Sequence, residues 1–169
     1  MKLLAKGLIL TAALGLAACS NPDRFGGNNV NLGGANSGIV PGSASDPTSP
    51  AFFQTAVGDR VLFAVDQATL SVEAQSVLSA QANWLSTNGS YSAIIEGHAD
   101  EQGTREYNLA LGARRAQAVQ DYLIGQGVSP ARLKTISYGK ERPIQVCSDE
   151  TCYSQNRRAV TVLSAGLSG

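Results

Sequence analysis

Asp100, Asn108, Leu111 and Arg115 are the residues whose types and spacing point most directly to chemistry. They fall in and just after Glu96-Gly97-His98-Ala99-Asp100-Glu101-Gln102-Gly103-Thr104, the densest polar run in the chain. Tyr91 to His98 reads as a strand, and Gly103-Thr104 opens a helix to about Gly125. A strand-to-helix junction exposes side chains and presents backbone N–H groups that lack intrahelical partners. Asn108, Leu111 and Arg115 lie three and four residues apart, so they share a helical face leading towards the Asp100 loop. A carboxylate and a guanidinium at two ends of a pocket suit a zwitterion: Asp100 takes an ammonium and Arg115 forks a carboxylate. The same spacing lets Asp100 and Arg115 pair with each other, or with neighbours, as solvated ions. Spacing alone leaves both open.

Catalysis is poorly served. His98 is the single histidine, and acids alone beside it make a poor transition-metal site. It reads as a structural residue at a strand end. Glu96, Asp100 and Glu101 raise the paired carboxylates of a glycoside hydrolase. Strand alternation, however, puts Glu96 and His98 on one face, and the loop then carries Asp100 away. No serine sits in a nucleophile elbow. The expectation is a ligand holder with no catalytic residue, no metal and no cofactor. Two charge-assisted contacts of roughly 1.5–3 kcal/mol each imply micromolar affinity or weaker.

The elements that must position this junction can be read on either side of it. Arg60 to Val65 is a short strand, and Ser71 caps a helix to about Ser86 with Ala74, Val77, Leu78, Gln81, Trp84 and Leu85 on one face. The helix after Gly103 carries a stripe of Leu109, Ala113, Ala116, Val119 and Leu123. Ser129-Pro130 starts a short helical turn. Leu133 to Tyr138 and Ala159 to Leu163 are strands. The order β-α-β-α-β-β gives an α+β sandwich with helices on one face of a small mixed sheet.

The N-terminal third is different. Lys2 and Lys6 precede an uncharged apolar run from Gly7 to Ala18 that ends Leu16-Ala17-Ala18-Cys19. That is the pattern of a secretory signal, too short to span a bilayer. The cysteine at the cut resembles the lipobox of bacterial lipoproteins. The resemblance implies cleavage before Cys19, its lipidation, and, with Ser20 next, sorting to the outer membrane. Several acyl chains hold a protein on a membrane almost permanently. From Ser20 to Gln54, Gly, Asn, Ser and Pro supply 20 of 35 residues, which reads as a flexible linker. The expected organisation is a signal peptide at 1–18, lipidated Cys19 and linker at 19–54, and a domain at 55–169.

Thirteen basic residues balance thirteen acidic ones, so there is no basic field to hold nucleic acid. Removing 1–18 takes two lysines and no acid, and leaves the mature chain slightly acidic.

Three ordered motifs carry a family resemblance: Glu96 to Ala116 (E-G-H-A-D-E-x-G-T-x-E-Y-N-x-x-L-G-x-R-R-A), Ser137 to Pro143 and Asn156 to Val160. Together they closely resemble the OmpA-like C-terminal domain. With the lipobox and linker in front, the chain is similar to the peptidoglycan-associated lipoproteins of the Tol–Pal system. The resemblance implies non-covalent binding of the peptidoglycan stem peptide through its diaminopimelate, without cleavage. Asp100 would receive the ammonium and Arg115 the carboxylate. Asn108 and Leu111 would line the pocket from the helix, and Phe63-Ala64-Val65-Asp66 would form the other wall, with Phe63 and Asp66 as contacts. One of Arg157 and Arg158 would support the site. The implied partners are peptidoglycan, the Tol periplasmic β-propeller protein and the Tol inner-membrane component, with the outer membrane held through the lipid anchor. The implied role is envelope integrity and outer-membrane constriction in cell division. In an oxidising periplasm, Cys147 and Cys152 favour a short-loop disulfide over free thiols.

Overall fold

Ser71 caps the first long helix as its spacing predicts: its hydroxyl accepts from Ala74 N at 3.1 Å, and Glu73 complements the dipole of the first turn. This computed structural model describes residues 39–146 and 148–165. In chain order it contains α1 (Pro50–Phe52), which continues as a π-helical stretch over Phe53–Gly58, then β1 (Arg60–Leu62) and α2 (Val72–Thr87). Next come β2 (Tyr91–His98), α3 (Arg105–Gly125) and a 3-10 turn over Pro130–Arg132. The chain closes with β3 (Leu133–Gly139), α4 (Glu150–Asn156) and β4 (Arg158–Ala165). The sheet order is β1-β4-β2-β3. β2 and β3 run parallel around α3, whereas β4 is antiparallel to both β1 and β2. The α+β order read from the sequence is the observed one, with α1 and α4 added.

Burial explains why α2 and α3 share one side. Leu78, Leu85, Ile95, Val119 and Leu123 are fully or almost fully buried and meet in one core with Phe53, Trp84 and Leu133. Truncating such a side chain to Ala costs about 2–5 kcal/mol. The opposite sheet face leaves Ile94, Ile136 and Val162 partly exposed.

α3 lies directly on the sheet because two glycines meet there. A Cβ on Gly97 would stand 1.8 Å from the carbonyl oxygen of Gly112, and one on Gly112 would stand 2.4 Å from Ser137 Oγ. Ser137 Oγ donates to Leu109 O at 2.6 Å, which pins β3 to the same turn. The first half of α3 is rotated relative to the predicted stripe. Asn108, Leu111, Gly112 and Arg115 are buried, while Ala113 is exposed. The polar residues turn inward because loop carbonyls are waiting for them.

Two boundaries differ from the sequence reading. Composition places the linker up to Gln54, yet Pro47, Ser49 and Phe53 already pack into the folded unit. Trp84 Nε1 donates to Pro47 O at 2.8 Å, and Phe53 is fully buried against the Trp84 ring, centroid to centroid 4.9 Å. β1 stops at Leu62 instead of Val65. Phe63 N donates to Arg157 O, and the carbonyls that follow turn towards arginines. Among the described residues, no helix is long and apolar enough to cross a membrane.

Candidate functional site

Beyond His98 the chain leaves β2, and a cleft of about 290 Å3 opens between this exit and the loop after β1. Val65, Asp66, Asp100, Gln102, Gly103, Tyr107, Asn108 and Leu111 line it. The junction loop is held from both sides. Asn108 Nδ2 donates to Gln102 O at 2.8 Å, and Lys140 Nζ donates to Gly103 O at 2.7 Å. Thr104 caps α3 by accepting from Tyr107 N at 3.2 Å, which projects the Tyr107 ring over the cleft mouth. There its hydroxyl donates to Asp66 Oδ1. Asp66 has φ of 57°, a left-handed conformation that Asp tolerates better than most residues.

Asp100 is buried yet faces the cleft. Its Oδ1 accepts from Gln102 N at 3.2 Å, and its Oδ2 accepts from Arg157 Nη1 at 3.1 Å. Arg157 also holds Phe63 O at 3.2 Å and forks onto Glu150. Hydrogen bonding to Glu150 is the first cause that raises the Arg157 pKa, and the same bond lowers that of Glu150. Of the two late arginines, Arg157 therefore supports the site. Arg158 turns elsewhere, to the carbonyls of Asn156 and Arg142.

Arg115 departs from the expected picture. It is 0% exposed and does not line the cleft. Its Nε donates to Gln67 O at 2.8 Å, its Nη1 to His98 O at 2.8 Å, and its Nη2 to Ala64 O at 3.1 Å. It thus clasps the loop after β1 to the end of β2. Burial pushes its pKa down to about 10, so it remains charged at neutral pH. Asp100 and Arg115 are neither paired with each other nor solvated. Phe63 is likewise a supporting residue: it is buried, with the Arg115 guanidinium 5.2 Å from its ring centroid. Phe63 does not form a wall of the cleft, because its ring is buried beside the Arg115 guanidinium; from that loop Val65 and Asp66 line the cleft.

His98 is buried, and neither ring nitrogen has a hydrogen-bond partner. Its Nε2 stands 3.6 Å from Glu96 Oε2, and its ring lies beside Tyr138. Burial, then Arg158 and Arg142, push its pKa down to about 4. It does not line the cleft, so it is not placed as a base there. Among the described residues, no three His, Cys, Asp or Glu side chains converge as a metal would require. Cys19 and Cys147 lie outside the described residues; Cys152, in α4, is disulfide-bonded.

The OmpA family model matches residues 62–157, more than half of the chain. The chain belongs to the OmpA family. It is 52% identical over 163 residues to the peptidoglycan-associated lipoprotein of Agrobacterium fabrum, covering 95% of this chain and 88% of that one. Its identity to the protein of the same name from Mesorhizobium japonicum is 50% over 160 residues, covering 93% and 90%. The crystal structure of the peptidoglycan-associated lipoprotein from Burkholderia pseudomallei matches with TM-score 0.64 and 37% identity, covering 72% of this chain and 98% of that one. The C-terminal domain of Helicobacter pylori MotB, at 22% identity and TM-score 0.60, shares the fold alone.

Within this OmpA-family domain the sequence located Asp66, Asp100, Asn108 and Leu111 at one cleft. Tyr107, Gln102 and Gly103, which stand inside the same motif, line the cleft as well. Glu150 carried no local signal, because its relation to Asp100 runs through Arg157.

Proposed function

We propose that this domain grips the peptidoglycan stem peptide non-covalently by the free end of its diaminopimelate. The observation that carries the reading is the charge of the cleft. Two carboxylates, Asp66 and Asp100, line it with no cationic side chain among the lining residues, while the buried guanidinium of Arg115 lies behind the floor. An ammonium is met directly by Asp100. The carboxylate on the same carbon draws on the charge of Arg115, which among the described residues makes no ion pair and has N–H groups beyond the three it has committed to carbonyls. Leu111 and Val65 supply the apolar contact, and Asn108 keeps the loop in register.

The names of the relatives fit this role. The chain enters the domain where Pro47 meets Trp84, and the Trp84 ring packs on Tyr91 at the start of β2. The cleft lies beyond His98 at the other end of that strand, roughly 20–25 Å away. A lipid on Cys19 would tether the domain to the outer membrane while the cleft takes the wall. Tethering raises effective concentration, so modest affinity suffices. The proposal extends to Tol–Pal: the periplasmic β-propeller protein and the inner-membrane component as partners, and outer-membrane constriction during division as the outcome. Cys147 is the proposed disulfide partner of Cys152.

Purified sacculi test the reading. The domain should co-sediment with them and release no muropeptides. Soluble muropeptides appearing in the supernatant would instead mark a hydrolase.

A further inference from the structure

We propose that Glu150, outside the cleft, is a positioning residue that keeps Asp100 available to the ligand ammonium by drawing the charge of Arg157 away from it. The proposal rests on the reading of the cleft given above. Arg157 is buried and stands between two carboxylates. It makes one bond to Asp100 Oδ2, at 3.1 Å. On Glu150 it makes two, Nη1 to Oε2 at 3.3 Å and Nη2 to Oε1. The fork therefore belongs mainly to Glu150, as bidentate guanidinium–carboxylate pairs do. Asp100 keeps acceptor capacity on both oxygens, since among the described residues it otherwise accepts from Gln102 N alone.

Local structure fixes this arrangement. Asp149 caps α4, its Oδ1 accepting from Thr151 N at 2.9 Å and from Cys152 N at 3.2 Å. That places Glu150 at the first helical position, two turns before Arg157 and on the same face. Asn156 ties the preceding loop down by accepting from Ile144 N and Gln145 N and donating to Gln145 O. Were Glu150 neutral, its negative charge would no longer offset that of Arg157, and the guanidinium could turn more fully onto Asp100. The cleft would then offer an ammonium a less negative Asp100.

The Glu150 side chain is 65% exposed, so the variant Glu150→Gln keeps the fold and solvent moderates the effect. NMR titration reads millimolar affinities. The probes are a muropeptide ending in diaminopimelate and the same muropeptide with that terminal amine acetylated. Glu150→Gln should weaken the free-amine ligand about three- to fivefold and leave the acetylated one unchanged. Glu150→Asp should retain most of the affinity. Glu73→Gln, in the separate recess beside β1, controls for the loss of any one negative charge. Equal weakening of both ligands, or none, overturns the proposal while leaving the cleft in place. If Asp100→Ala binds the free-amine ligand as wild type does, the cleft reading falls and this proposal with it.

Discussion

Arg157 and Asp100 pair at 3.1 Å across 57 residues of sequence, with side chains 5% and 10% exposed. A buried charge stripped of its partner costs about 3–5 kcal/mol, and Glu150 leaves part of this pair near solvent. Arg157→Gln should therefore lower unfolding free energy by about 2–4 kcal/mol. Urea denaturation checks this. A loss under 1 kcal/mol would mean that the pair is incidental.

Arg115 should matter first for folding. Arg115→Ala leaves three backbone carbonyls without their donors and opens a void under Phe63, at a cost of about 3–5 kcal/mol. Arg115→Lys keeps the charge but cannot reach three carbonyls at once, and should lose roughly half as much. Thermal or denaturant unfolding of the two variants provides the comparison. A variant Arg115→Ala as stable as wild type would contradict the clasp.

Gly97→Ala should be as damaging as a core truncation. The added methyl meets backbone, the carbonyl of Gly112 at 1.8 Å, so α3 must lift from the sheet. A loss of about 2 kcal/mol or more is expected. Gly89→Ala, where nothing lies within 4 Å, should change stability far less. The two midpoints measured side by side decide the matter.

Much of this architecture is legible in the sequence because its determinants are local. Ser71 and Thr104 announce helix starts, and the buried positions of α2 recur at helical spacing. What is not legible depends on partners far away. Residues 50–54 look like linker until Phe53 is seen against Trp84. The α4 helix is seven residues long, too short to show a period, and rests on one cap and on Asn156. An arginine spaced with Asn108 and Leu111 reads as a pocket residue or a solvated ion, and nothing near Arg115 in sequence reveals that Ala64, Gln67 and His98 turn their carbonyls towards it. Hence the clustering of Asp66, Asp100, Asn108 and Leu111 around one cleft is legible in the sequence, but the arrangement behind it is not: Arg115 and Phe63 are buried supports, while Asp66, Asp100 and Tyr107 line the cleft.

His98 sets a pH limit. In the unfolded chain a histidine titrates near 6.5, whereas in the fold burial pushes His98 down to about 4. Between those values the unfolded state binds a proton that the folded state does not. This contribution is fully present above about pH 6.5 and is lost as pH falls to about 4, by at most roughly 3 kcal/mol. Urea midpoints at pH 7 and 4.5 should show the decline, and His98→Gln should flatten it. An equal slope in the variant would assign the acid sensitivity to other groups.

The central claim is that Asp100 receives the ammonium of diaminopimelate, and calorimetric titration of the domain with a diaminopimelate-terminated muropeptide tests it most directly. In Asp100→Ala, Arg157 still has Glu150 as a partner, so the fold persists and binding alone is read. A hydrogen bond to a charged group is worth roughly 1.5–3 kcal/mol, so affinity should fall about 10- to 100-fold. Wild-type affinity in a folded Asp100→Ala domain would contradict the account.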